Sequence, residues 1–379
     1  MSSALNITGS SVPHQRPLHE RVWLLGGVRK RLRDAFFRLL RRVADTDDAR
    51  SIQVSGLQNL LPRQPEARID VTLALDRQPY PDLGQAVPIS LAADRDDVVI
   101  ISARFRSGST LLWNLFRATK GCTAYYEPFN ERRWFDPAAR GNRTDPTHRG
   151  VEDYWREYQG LEELGRHYRE SWISQNLFMG ADSWDPAMKR YVELLIDRAA
   201  GRPVLQFNRI DFRLPWFRRH FPRAKLVHLY RHPRDQWLSS LVDPSAFPKD
   251  GTMADFAGHD HYYLRTWACD LKYHFPFLDE GQITHPYQVF YYIWKLSYLF
   301  GRRYAHVSLA YEDILHSPEK RLGELYAALG IAGADLGALA RLVEKPRSGR
   351  WRAYASEEWF REHESYCESV LTTYLRGDS

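Results

Sequence analysis

A run of small and basic residues near position 106 lies between two apolar segments. Val98–Ile101 is a continuous β-branched run, typical of a strand buried on both faces. Leu and Phe then recur at helical spacing from Leu111 to Phe116, so the turn between the two segments opens a helix. A helix N-terminus presents unpaired N–H groups and the positive end of the helix dipole, which favour an anion. The residues that this turn offers to an anion are Arg106, Ser107, Gly108, Ser109 and Thr110. The pattern predicts a phosphate-binding loop, with an ordinary tight strand-to-helix turn as the alternative.

This loop differs from the nucleoside-triphosphate loop, whose pattern is G-x-x-x-x-G-K-[ST]. That pattern needs a Lys between its last Gly and the hydroxyl residue. Here Ser109 follows Gly108 directly, and the cation, Arg106, comes before the turn. ATP or GTP hydrolysis is therefore disfavoured, and an ATP-dependent kinase is kept only as an alternative function.

A second candidate phosphate site follows a predicted strand at Ala224–Tyr230. Arg231 leaves the end of that strand, and Ser239 comes eight residues later on the helix that follows. An arginine supplies a forked, permanently charged donor and a serine supplies a hydroxyl, so both can converge on one phosphate group. The alternative is an ordinary ion pair between Arg231 and Asp235.

These features, in this order, resemble the sulfotransferases that use 3′-phosphoadenosine 5′-phosphosulfate. The first loop is similar to the family's 5′-phosphosulfate loop, and Arg231 to Ser239 matches its 3′-phosphate motif, R-[DH]-P-R-x-x-x-x-S. Tyr311-Glu-Asp followed by Pro318 looks like the family's exit from a later strand. Lys345–Trp351 looks like its basic loop that closes over the nucleotide, although a solvated charge run is the alternative. The nucleotide-binding residues proposed in that basic loop are Arg347, Ser348 and Gly349.

The resemblance also implies catalytic roles. Glu127, within Tyr-Glu-Pro, stands where carbohydrate and protein-tyrosine sulfotransferases place a carboxylate that takes the acceptor's proton. Arg209 and Arg106 stand where many members carry a Lys, and both keep the positive charge that stabilises the leaving group. The alternative for Glu127 is an ion pair with a neighbouring Arg. The chemistry as implied needs no metal, and the aromatic segments 131–200 and 255–300 are expected to form the acceptor site.

The order of elements predicts the fold. Strand patterns at Pro203–Arg209, Ala224–Tyr230 and His306–Ala310 alternate with helical patterns, which indicates a parallel sheet covered on both faces. We therefore expect an α/β fold, like that of the P-loop nucleotide kinases, over residues 96–379.

Residues 1–95 are expected to form an N-terminal appendage with a disordered start, a helix and a linker. The helix, Val22–Val43, has an apolar stripe and a strongly basic face. It can lie on an anionic membrane through residues 20–45, or it can pack its stripe on its own domain.

The composition narrows the function classes. A formal charge of +6 on 379 residues suits a small polyanionic ligand, whereas nucleic-acid binding calls for denser basic patches. Three widely spaced cysteines predict no disulfide framework, and no signal peptide or membrane span is evident, so we expect a cytoplasmic protein. The sequence thus predicts a sulfotransferase acting on a hydroxyl of a carbohydrate-like or other small-molecule acceptor. A non-catalytic nucleotide-binding protein on the same fold is the further alternative.

Overall fold

Five parallel strands form the central sheet in the described part of the chain, whose structure is a computed structural model. The structure describes residues 90–145, 148, 150–344 and 349–376. The chain divides into residues 1–69 and 70–379, and all described residues belong to the second unit. The predictions for the N-terminal helix, for the linker up to residue 89, and for Arg347 and Ser348 lie outside the described residues. The strands are β1 Val99–Ala103, β2 Cys122–Tyr126, β3 Arg202–Phe207, β4 Lys225–Tyr230 and β5 Val307–Ala310.

Helices connect the strands and cover the sheet. Several begin with a proline, among them Pro186, Pro233, Pro286 and Pro318, because its fixed φ suits the first turn and its missing N–H costs nothing there. Among the described residues, no helix is both long and apolar enough to cross a bilayer. The α-helices are α1 Ser109–Arg117, α2 Pro186–Arg198, α3 Leu214–His220, α4 Pro233–Ser240, α5 Leu264–Leu271, α6 Pro286–Tyr304, α7 Tyr311–His316, α8 Pro318–Ala328, α9 Leu336–Arg341 and α10 Glu357–Arg376.

Two apolar clusters hold these layers together. One includes β1, α1 and α2, and the other joins α5, α6 and α10. Most of the aromatic segment 131–200 belongs to the first cluster: Trp134 and Trp172 are 2% and 3% exposed, whereas Trp184 is 68% exposed. The expectation that this segment lines an acceptor site is therefore wrong for Trp134 and Trp172, which are core residues.

The order of the strands determines where a ligand can enter. The sheet runs β2-β3-β1-β4-β5, so the chain builds first on one side of β1 and then on the other. Such a reversal opens a crevice at the carboxyl ends of the strands. The residues that follow β1, β2, β3 and β4 include Arg106, Glu127, Arg209 and Arg231, which are predicted site residues.

Candidate active site

The turn from β1 into α1 has the shape of an anion-binding loop. Arg106 and Gly108 both adopt positive φ, 62° and 93°. The amide and the hydroxyl of Ser107 both donate to the carbonyl of Arg104, at 3.2 and 2.7 Å, so Ser107 fixes the turn. The first intrahelical bond runs from the amide of Leu112 to Gly108. Within the described residues, the three preceding amides of α1 have no protein acceptor, so they are free to bind an anion.

A glycine is required at position 108 for two reasons. Its positive φ is unfavourable for any residue with a side chain. A Cβ there would also overlap the ring of Tyr311, the first residue of α7. The guanidinium of Arg231 lies over the same ring, 5.2 Å from its centroid. Tyr311 therefore packs between the first loop and the residue that follows β4.

The two predicted phosphate sites meet at Arg106. Its Nε donates to Ser239 Oγ at 2.9 Å, and its carbonyl accepts from a terminal nitrogen of Arg231 at 3.1 Å. The loop is also tied to α4 by Gln236, whose side-chain amide donates to the carbonyl of Phe105 at 2.8 Å. The two motifs thus form one basic site at the switch point of the sheet.

Arg231 has no carboxylate within ion-pair distance among the described residues. The alternative of an Arg231–Asp235 ion pair is therefore not realised. Asp235 instead accepts from the amide of Gly349, at 3.1 and 3.3 Å, so Gly349 lies beside α4. Burial lowers the pKa of Arg231, because a desolvated cation is disfavoured until an anion joins it.

A buried ion pair lies beneath the loop. Arg104 contacts Asp211 at 3.4 Å, and Asp211 also accepts from Ser102 Oγ at 2.5 Å. The guanidinium of Arg104 lies over the ring of Trp267 at 5.0 Å. Burial raises the pKa of Asp211, and Arg104 opposes that rise. This pair fixes the end of β1 to the segment after β3, so its role is to position the loop.

Glu127 is held in a buried polar network. It is 5% exposed and adopts a φ of 40°, a conformation that non-glycine residues rarely take. One carboxylate oxygen accepts from the side-chain amide of Asn208. The other accepts from Asn130 at 2.7 Å and from Arg209 at 3.2 Å. Burial raises the pKa of Glu127, while the charge of Arg209 opposes that rise.

Arg209 links this network to the first loop. It also donates to Glu131 at 2.6 Å, and its guanidinium lies over the rings of Phe105 and Tyr263 at 4.9 and 5.7 Å. Glu127 therefore does form the ion pair with a neighbouring arginine that was considered as the alternative to a catalytic role, and the partner is Arg209. That ion pair lies directly beside the anion-binding loop.

The other side of the loop contacts a histidine. Thr110 Oγ1 is 3.0 Å from the Tyr126 hydroxyl and 3.2 Å from His148 Nε2. Asp145 lies nearby, 4.0 Å from Arg106. The free amides, three arginines and one buried carboxylate can together bind a dianionic group and accept a proton from a second substrate.

A model of the sulfotransferase family matches residues 98–335, more than half of the chain. The chain belongs to the sulfotransferase family. No curated protein matches it. Membership in this family implies transfer of a sulfonyl group to an acceptor that in general carries a hydroxyl, and it argues against the kinase alternative.

The part matched to the sulfotransferase family contains most of the predicted site. It includes Arg106 to Thr110, Glu127, Arg209, Arg231 and Ser239, and it ends before Gly349. The structure brings all of these residues to one edge of the sheet.

The sequence analysis assigned no role to several residues of the sulfotransferase site. Phe105 and Asn208 directly precede Arg106 and Arg209, which the sequence analysis assigned to the site, so adjacency in the sequence could have identified them. Asn130 has no motif around it. His148 and Tyr263 lie in the aromatic segments 131–200 and 255–300, which were expected to form the acceptor site, but only the fold identifies these two residues individually.

Proposed function

We propose that this sulfotransferase moves the sulfonate group of 3′-phosphoadenosine 5′-phosphosulfate to a hydroxyl of a carbohydrate-like or other small-molecule acceptor. The observation that carries the proposal is the convergence of two anion-binding motifs on Arg106, through Ser239 and Arg231. A donor with phosphate groups at both its 3′ and 5′ positions matches two adjacent sites, whereas a nucleotide with one phosphorylated position matches only one.

The donor is assigned to the basic side of the crevice. Arg106 and the amides of Ser109 and Thr110 would hold the 5′-phosphosulfate, and Arg231 with Ser239 would hold the 3′-phosphate. Gly349, whose amide donates to Asp235 on the helix that also carries Ser239, supports assigning Gly349 to the 3′ site. Guanidinium donors to phosphate give short, charge-assisted hydrogen bonds, which are stronger than neutral ones.

The transfer itself needs one bond made and one bond broken at sulfur. The acceptor oxygen attacks sulfur, and the bond from sulfur to the bridging oxygen of the donor breaks. The electron pair of that bond leaves with adenosine 3′,5′-bisphosphate. Glu127 takes the acceptor's proton, and Arg209 stabilises the negative charge that develops between the two substrates. Positioning and charge stabilisation supply most of the catalysis in such in-line transfers.

The acceptor class is assigned from the polar and aromatic groups next to Glu127. Phe105 and Tyr263 are half-buried rings in contact with Arg209, and Glu131, whose side chain is 41% exposed, is the second carboxylate on that arginine. The C–H face of a sugar ring can pack on aromatic rings while its hydroxyls reach a carboxylate or a guanidinium at the edge. The Tyr-Glu-Pro context of Glu127 supports the same class. A cytoplasmic location belongs to this proposal, since the three cysteines are all free thiols.

Transfer of labelled sulfonate from the phosphosulfate donor to pooled acceptors, with the full-length protein, tests the proposal. Arg106→Ala should remove donor binding, measured by calorimetry. Arg133→Ala is the matched control. Like Arg106, Arg133 has positive φ, and it lies over the ring of Tyr168 as Arg106 lies over that of Tyr262, but away from the loop. Consumption of ATP that depends on Mg²⁺ would contradict the proposal. Donor binding without transfer to any acceptor would indicate the non-catalytic alternative.

A further inference from the structure

One carboxylate oxygen beside the loop lies between two nitrogen atoms. Asp145 Oδ2 is 4.0 Å from a terminal nitrogen of Arg106 and 3.9 Å from His148 Nε2. Arg106 is the cation of the anion-binding loop. His148 Nε2 is also 3.2 Å from the hydroxyl of Thr110, in the first turn of α1. Two nitrogen donors on different segments therefore approach a single anionic oxygen next to the free amides of the helix.

We propose that His148 is a ligand of the donor's 5′-phosphosulfate and that the Asp145 carboxylate stands in for that group in the free enzyme. The inference rests on the function proposed above, and it adds a ligand that no motif predicts. When the donor binds, its negative charge repels Asp145, so the carboxylate gives way and Arg106 and His148 turn to the donor instead.

The surroundings of His148 can accommodate its charged form. An imidazolium donates from both ring nitrogens. Nδ1 has the Tyr154 hydroxyl at 2.5 Å as its acceptor, and Nε2, which is 3.2 Å from Thr110 Oγ1 in the free enzyme, is the nitrogen that turns to the donor. The other groups that face the ring are Asp145, Arg106 and the edge-on ring of Tyr126. When the ring gains its second proton, the hydroxyl that donated to its unprotonated nitrogen turns and accepts instead.

The charges predict a proton linkage. Burial lowers the pKa of His148 in the free enzyme, with Arg106 acting in the same direction and Asp145 opposing, so the ring is neutral near pH 7. A bound anion favours the imidazolium and raises the pKa of His148. Donor binding must then take up a proton, and affinity must fall as the pH rises through the pKa of the bound state.

Calorimetric titration of the full-length protein with the phosphosulfate donor, in two buffers of different ionisation enthalpy, measures this uptake without any acceptor. His148→Gln should remove the uptake and weaken donor binding by about tenfold near pH 6, with little effect near pH 8.5. His167→Gln is the matched control, because His167 is a partly buried histidine whose pKa is also lowered by burial. That variant should behave as wild type.

A second variant keeps the inference falsifiable if His148→Gln folds poorly. Asp145→Asn removes the competing carboxylate and should tighten donor binding several-fold, a gain that misfolding cannot produce. Adenosine 3′-phosphate, which lacks the 5′ group, should respond to neither substitution. Unchanged proton uptake in His148→Gln, or weaker binding in Asp145→Asn, would overturn this inference alone. A wild-type protein that does not bind the donor would overturn the proposed function as well.

Discussion

Replacing Glu127 by glutamine should separate catalysis from donor binding. Glutamine keeps the size of the side chain but cannot accept the acceptor's proton. We expect kcat to fall by about 10²–10⁴-fold, the usual contribution of a general base, while the Kd for the donor changes little.

The structure indicates that the glutamine is tolerated. Its carbonyl oxygen can keep the hydrogen bonds from Asn130 and Arg209, and its NH2 group then meets the donating amide of Asn208. Turning the Asn208 amide over removes that conflict if the Gln206 amide turns with it. Gln206 Nε2 now donates to Asn208 Oδ1, and Gln206 Oε1, which has no partner among the described residues, would then accept from Asn208 instead. We expect a loss of unfolding free energy on the order of 1 kcal/mol, or about 2–4 °C in Tm.

The pH dependence provides a second test of the same residue. The base must be ionised in the free enzyme, and burial raises the pKa of Glu127 above its usual range. The kcat/KM of the wild type should therefore rise with pH until this carboxyl has ionised, and fall as pH drops through its raised pKa. The decrease in kcat/KM at low pH should be absent from the pH profile of the Glu127→Gln variant.

The assay is steady-state transfer of labelled sulfonate to the acceptor found in the pooled screen, with donor affinity measured by calorimetry. Glu131→Gln is the control, since Glu131 is the other carboxylate on Arg209, at 2.6 Å, yet is half-exposed. Its kcat should fall by less than about tenfold, because Arg209 keeps its buried partner. Near-normal turnover in Glu127→Gln would refute the reasoning. Loss of donor binding in that variant would mark Glu127 as a structural partner of the loop.

Four further outcomes are expected. Arg231→Ala should weaken adenosine 3′,5′-bisphosphate by about 1.5–3 kcal/mol but adenosine 5′-phosphate much less, and equal weakening in calorimetry would remove Arg231 from the 3′ site. Gly108→Ala should abolish donor binding, since positive φ and the overlap with Tyr311 both oppose a Cβ; a normal Kd would mean that the loop tolerates a different shape. Sulfonate transfer should persist in a chelator, whereas restoration by added Mg²⁺ would indicate a metal-dependent reaction. Full-length protein should sediment with anionic vesicles at low salt but not at high salt, and deletion of residues 20–45 should abolish the effect; no sedimentation at low salt would favour a helix packed on its own domain.

Part of the fold and of the site could be predicted from the sequence, because it depends on the local chemistry of short segments. The continuous β-branched run of β1 is typical of a strand that is buried on both faces. The small residues after Arg106 permit a tight turn that few other residues allow. Arg231 follows the end of β4, and Ser239 lies on the helix that comes next, so their spacing depends only on local structure. Both phosphate motifs, the parallel sheet and the sulfotransferase resemblance therefore followed from short segments.

Only the tertiary structure decided how those segments combine. Arg106 and Ser239 are 133 positions apart, and they meet because the sheet places β4 beside β1. The raised pKa of Glu127 depends on burial and on Arg209, which follows a different strand. His148 lies in a segment without periodicity, and its contact with Thr110 has no sequence signal. Burial and long-range contacts are properties of the packed chain, since no short segment can exclude water from its own polar groups.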